Sequence, residues 1–422
     1  MSFTKELLDS LKEELNDLLK ECTSPKNGKP PKLNAIIAGV TNDKQTLYLN
    51  CSGVKSIESG EKVKNDDMLA YFSCTKSMTA MGLLKLYEEG KIDLDNPVKM
   101  YVPEISKIGV IDPGQVSHID GTFKSPPRAP AKNVTVRHLL CHTAGFAYSF
   151  LNEDYYHLNR KRNPHINELV PNMEFFTVEK QPLLFEPGTK WMYGHSFDWL
   201  GLVIESVTGK KLGEYLKEAI FDPAGMSSCT FHSNDPEKFV KLHYRKKDKS
   251  LDLLKKRSVS FNPELDMGGQ GCFGTVEDYL KFIRIWLLKG LALDTNKRIL
   301  KEETIDFAIQ NHLPPGLHVA FDVPGVPELP EGFEPDGFTL TGNAINMNEL
   351  PTGRPKGALY WAGLGNLYYW IDIENKIGGF WGSQILPAAD MYSIMKYARF
   401  EFNVYEALNE SKEALKEGSS KL

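Results

Sequence analysis

An α/β fold carrying an inserted, mostly helical lobe is what this sequence predicts, and three observations support it. Runs with strand character occur early, at Leu33 to Val40 and Thr46 to Cys51. They return only late, at Gly357 to Trp361, Leu367 to Ile373 and Ile377 to Gly382. Between them, from Asp93 to about Met226, helical patterns alternate with loops punctuated by Pro97, Pro103, Pro113, Pro126, Pro127 and Pro130. Amphipathic helices stand at both chain ends. One α/β layer is therefore expected from about 1–92 and 255–415, with a helical lobe over about 93–254 and a flexible tail over 416–422. All of it reads as one domain, and the junction of the two lobes is where a cleft is expected.

Each element has its own warrant. Leu7, Leu8, Leu11, Leu15, Leu18 and Leu19 repeat as one helical stripe, so the N-terminal helix should lie on the fold. Lys5, Glu6, Lys12, Glu13 and Glu14 interrupt any apolar core that a secretory signal would need. An Asn-Asp-Lys turn joins the first two strands. Met78, Ala80, Met81, Leu83, Leu84, Leu86 and Tyr87 form a helix stopped by Gly90, and Gly209 closes another over Ser196 to Thr208. A further helix spans Val136 to Cys141, and the last runs from about Asp390 to Leu408. The Pro/Gly-rich stretch from Leu313 to Gly337 is expected to line the cleft entrance.

The 422 residues are 41% apolar and 25% charged, which suits a globular chain with a large core. Net charge is -5 with no basic block, so neither nucleic acid nor an anionic membrane is an expected partner. No apolar run approaches the roughly 18 residues of a membrane span. Cys22, Cys51, Cys74, Cys141, Cys229 and Cys272 lack CxxC spacing and read as reduced intracellular thiols. The chain closes with Ser420-Lys421-Leu422, the peroxisomal address, so the import receptor is an expected partner and the peroxisome the expected location, with the cytoplasm as alternative.

Chemistry concentrates in Tyr71-Phe-Ser-Cys-Thr-Lys76. Ser-x-x-Lys also begins at Ser2, Ser52, Ser59 and Ser393, but only Ser73 stands before a helix rich in small and apolar residues. Residues three apart share a helix face, so the Ser73 hydroxyl and the Lys76 amine can meet. Burial would lower the lysine pKa and make it a base beside a nucleophile. Tyr193, in the turn before the Ser196 helix, is a candidate second proton carrier if a nearby cation lowers its phenol. Gly194-His-Ser-Phe-Asp198 begins like a nucleophile elbow, but the fifth residue is not glycine, and Ser196 reads as a helix N-cap. Gly357 to Asp372 reads as a hairpin whose edge can offer an N–H to an oxyanion. His138 and His142 have helical spacing but no third ligand, so no metal and no cofactor are expected.

Together these segments resemble the serine β-lactamase-related family: class C β-lactamases, D,D-peptidases, family VIII carboxylesterases and fungal acyltransferases. Val134-Thr-Val-Arg-His-Leu-Leu-Cys-His-Thr-Ala-Gly145, Glu88 to Val98 and Gly268 to Tyr279 resemble further family segments. The resemblance spans about 33 to 385 and implies a β-lactamase/transpeptidase-like fold, an antiparallel sheet flanked by helices. It implies Ser73 as acylated nucleophile, Lys76 as base and Tyr193 as second acid/base, with the backbone N–H groups of Ser73 and Leu364 as oxyanion hole. β-Lactamases carry Lys-Thr-Gly where this chain has Trp361-Ala-Gly363, and Asn where it has His195. An aromatic pocket thus replaces a carboxylate-binding one. The details look most like fungal polyketide transesterases, with His195, Trp361, Gly363, Phe146, Tyr148, Phe150 and Tyr369 as candidate pocket residues. The expected activity is a cofactor-free serine esterase or acyltransferase on small-molecule esters or thioesters with a small apolar acyl group. The alternatives are a β-lactamase/D,D-peptidase-type amide hydrolase and a catalytically idle scaffold.

Overall fold

Apolar residues on both faces of the first strand already require covering layers above and below it. In the computed structural model, which describes residues 3–26, 28, 30–160, 173–255, 259–321 and 332–419, both layers are present. Strands β1 (Ala35–Asn42), β2 (Thr46–Gly53), β3 (Gly337–Phe338), β4 (Ala344–Ile345), β5 (Leu359–Gly363), β6 (Leu367–Asp372) and β7 (Ile377–Gly382) form one seven-stranded sheet in the order β2-β1-β7-β6-β5-β4-β3. All its pairings are antiparallel, and β1 joins the two ends of the chain through Ile37 opposite Gly382. The segment Ser52-Gly53 continues β2 beyond Cys51, and Ser52 shares a hydrogen bond with Thr23 at 2.7 Å.

Alternation along β1 divides the core. Ile36, Ala38 and Val40 face a layer made by helices α1 (Lys5–Thr23) and α7 (Met391–Ser419), where Leu11, Leu15, Leu18, Leu19, Phe400 and Val404 are buried. Ala35 and Ile37 face the larger core on the other side, beside α2 (Thr75–Glu88) and α6 (Val276–Leu287). The C-terminal helix is longer than its sequence pattern, ending at Ser419 rather than near Leu408. Helices α3 (Val136–Leu140), α4 (Glu153–Arg160) and α5 (Ser196–Thr208) lie in the middle of the chain. Gly209 at φ +68° ends α5 as expected. The Ser196 reading needs correction: His195 holds the N-cap position, and Ser196 is the buried first residue of the helix. All six cysteines are free thiols. Ser420-Lys421-Leu422 lies outside the described residues, as do 322–331 of the proline-rich loop.

Candidate active site

Ser73 sits in a single 3-10 turn, Phe72–Cys74, that leads directly into α2, rather than inside the first turn of the helix. Phe72 precedes it at φ +49°, a left-handed conformation that a bulky side chain rarely adopts. Such strain is held only where neighbours enforce it, and here it aims the next residue out of the helix axis. Tyr71 anchors the turn, its hydroxyl donating to the Thr275 carbonyl at 2.6 Å and its N–H to the Cys272 carbonyl at 3.0 Å. Cys74 packs inward, and burial pushes its thiol well above the usual range.

One turn on, Lys76 is wholly buried. Its Nζ lies 3.1 Å from Ser73 Oγ, 2.9 Å from Tyr148 OH and 2.8 Å from the Gly269 carbonyl oxygen. Among the described residues no carboxylate touches it, so desolvation dominates and lowers the amine from 10.5 to about 7, with Asp198 opposing at longer range. The ring of Tyr193 stands 4.8 Å from the same nitrogen, with Ser73 close enough to its hydroxyl to lower the phenol. Trp361 Nε1 donates to that hydroxyl at 3.1 Å. A cation was expected to lower the Tyr193 phenol. Burial instead raises it well above the usual tyrosine value, and the nearby Ser73 and the bond from Trp361 only partly offset this. The phenol is therefore neutral at ordinary pH.

Strand β5 brings the third segment in. A Cβ on Gly363 would sit 2.6 Å from the Tyr71 carbonyl oxygen and 3.3 Å from Cys74 Sγ, so only glycine lets this strand end abut the Ser73 turn. Leu364 is the next residue. Behind Lys76, Asp198 accepts from the Gly269 N–H at 2.8 Å through one oxygen and binds His195 Nδ1 at 2.9 Å through the other. The residue whose carbonyl holds Lys76 is thus tethered at its own N–H by a buried carboxylate. A Cβ on Gly269 would fall 2.8 Å from that carboxylate.

The remaining predicted residues divide. Tyr148 is a direct partner of Lys76, a role stronger than pocket lining. Its ring stacks on Phe150, which is exposed. Two pocket assignments need correction: Phe146 is fully buried and stacks on Trp199, and Tyr369 is fully buried and bonded to Asn343. His195 is 1% exposed and held by Asp198, so it braces the site from behind. His138 accepts the Thr135 N–H at 3.2 Å within its own helix cap, while His142 turns into an aromatic cage with its ring 4.8 Å from that of Tyr193. The described part of the proline-rich loop reaches the site. Phe321 lies 6.0 Å from the Tyr193 ring and 6.1 Å from that of Trp361, and a narrow pocket opens there between Leu151, Met192, Tyr193, Ala320 and Phe321. Sequence reasoning missed Asp198 and Gly269. The one available signal was a carboxylate three residues after His195 on the buried face of a helix.

A buried amine joined to a serine hydroxyl and a neutral phenol, on this sheet, marks a serine enzyme of the acyl-transferring class. The chain belongs to the Beta-lactamase family, whose model matches residues 31–402. It is 31% identical over 363 residues to the acyltransferase calJ of Penicillium decumbens, covering 81% of each chain. It is 28% identical over 393 residues to a lovastatin esterase of Penicillium rubens, covering 89% of this chain and 94% of that one. Its fold is that of a simvastatin synthase variant from Aspergillus terreus, with TM-score 0.77 and 23% identity over 96% of this chain and 97% of that one. EstCE1, a hydrolase with promiscuous acyltransferase activity, aligns with TM-score 0.69 and 19% identity over 95% and 98% of the two chains. The protein is accordingly a serine esterase or acyltransferase acting on small-molecule acyl substrates.

Proposed function

We propose that Ser73 is the nucleophile of an acyl-enzyme mechanism and that Lys76, in its neutral form, removes its proton. The observation that carries this reading is the set of three oxygens around Lys76 Nζ. A neutral amine has two protons and one lone pair. The protons satisfy Tyr148 OH and the Gly269 carbonyl, which leaves the lone pair to accept from the Ser73 hydroxyl. Attack on an ester or thioester carbonyl forms a bond from Ser73 Oγ to carbon, and the carbonyl electrons move to oxygen. The backbone N–H groups of Ser73 and Leu364 are assigned to receive that oxyanion. Tyr193, neutral and beside Ser73, passes a proton to the leaving alcohol or thiol as the C–O or C–S bond breaks. An alcohol or water then takes the acyl group by the same steps in reverse.

The aromatic wall of Tyr193, Trp361 and Phe321 supports a small apolar acyl group. It offers no cation for a substrate carboxylate, which argues against β-lactam and D,D-peptide substrates. Delivery to the peroxisome through Ser420-Lys421-Leu422 is part of the same proposal; a fluorescent fusion ending in that tripeptide should be punctate and become diffuse once it is removed. Mixing the enzyme with p-nitrophenyl butyrate and recording intact mass should show a butyryl adduct that Ser73→Ala lacks. An adduct that persists in Ser73→Ala, or turnover that the substitution leaves unchanged, would refute the nucleophile assignment.

A further inference from the structure

We propose that His118, Glu153 and His157 form a binding site for one divalent transition-metal ion of the zinc type, on the surface of the chain and outside the Ser73 centre. This departs from the sequence expectation of no metal, because the three residues come from segments whose meeting no spacing rule foretells. One nitrogen or carboxylate oxygen from each lies within 4.8 Å of the others. Donors around a tetrahedral zinc ion at ~2.0–2.1 Å stand ~3.4 Å apart. Closing that gap requires the exposed His118 ring to swing off the His157 face, because stacked rings direct their in-plane lone pairs side by side.

The scaffold beneath is built. Glu153 and His157 are one helical turn apart on α4, which places both on one face. Asn152 caps that helix by accepting the Tyr155 N–H at 3.1 Å. His118 is carried by a tight turn closed by Ser117 N–H to the Thr122 carbonyl and Gly121 N–H to the Ser117 carbonyl, both 2.8 Å. Gly121, at φ +65°, packs its Cα on the His157 carbonyl, a space that any side chain would occupy. Ile111, Val116 and Leu158 form a small buried core under the two segments.

The two imidazoles stack at 4.1 Å with 10° between their planes, which holds His118 against the α4 histidine. Asp154 lies 3.0 Å from His118 Nε2, the kind of carboxylate that orients a ligating imidazole. Two imidazoles and one carboxylate suit zinc, cobalt or nickel better than magnesium or calcium. A bound ion would clamp the His118 turn to α4, the helix that follows directly on the Tyr148 to Leu151 segment.

The test is calorimetric titration of the EDTA-stripped, dialysed full chain with zinc chloride, backed by the visible absorption of the cobalt form. One equivalent should bind to the wild type. Affinity should fall about tenfold or more in His118→Ala and in Glu153→Gln. His232→Ala, which removes another partly exposed histidine paired with Asp266, should bind as the wild type does. Circular dichroism of each variant checks that it is folded. Absence of binding to the wild type, or binding that His118→Ala and Glu153→Gln leave unchanged, overturns the proposal.

Discussion

Burial, more than any single charge, sets the protonation of the groups around Ser73. It lowers Lys76 to about 7 and holds Tyr193 neutral, so base and acid are separated by environment. This has a stability consequence. Between about 7 and the unfolded value of 10.5 the folded chain binds fewer protons at Lys76 than the unfolded chain does, so stability should rise with pH across that window. Below about 7 the full cost of the charged, buried amine is present. Asp198 opposes this lowering at longer range. Asp198→Asn should therefore depress the Lys76 amine further and move the acid limb of the kcat/KM profile to lower pH; a limb that stays in place would show that the carboxylate only supports the helix. Lys76→Ala should reduce acylation by about a thousandfold, the scale for loss of a base acting in concert with its nucleophile. Ser73 and Lys76 were legible in sequence because their spacing is local. Asp198 and Gly269 were not, because 71 residues separate them and their link is a backbone N–H.

At the scale of elements, the site exists because a strand end meets a strained turn. The elements themselves were mostly readable: α5 and its glycine stop, the hairpin of β5 and β6, and β1 paired with β2 all follow from periodicity and turn residues. What periodicity cannot give is how closely two elements approach. Gly363 reads as an ordinary hairpin glycine until it is seen that a Cβ there would stand 2.6 Å from the Tyr71 carbonyl oxygen. Gly363→Ala should force β5 away from Ser73, lowering kcat by about a hundredfold if an oxyanion donor is misplaced. Thermal denaturation should show a smaller loss, since the contact is a single one. A variant with normal kcat would remove β5 from the oxyanion site. Phe146 and Tyr369 teach the same lesson: aromatic residues near a motif in sequence look like pocket walls, yet both are packed behind it.

The whole molecule is a sheet sandwiched between a helix pair from the two chain ends and a core that carries the site. Leu15, fully buried between α1 and the sheet, should cost about 2–5 kcal/mol of stability in Leu15→Ala, read from urea unfolding, with kcat in the folded enzyme unchanged. That separation would show the rear layer to be structural support. The account as a whole rests on a buried lysine that is neutral at working pH. The most direct measurement is the single-turnover rate of Ser73 acylation between pH 5 and 9, followed by release of p-nitrophenol. The account predicts a rate that rises through a single limb near pH 7 and then levels off, with the limb absent in Lys76→Ala. A rate flat across this range, or a limb that survives the loss of Lys76, would contradict it.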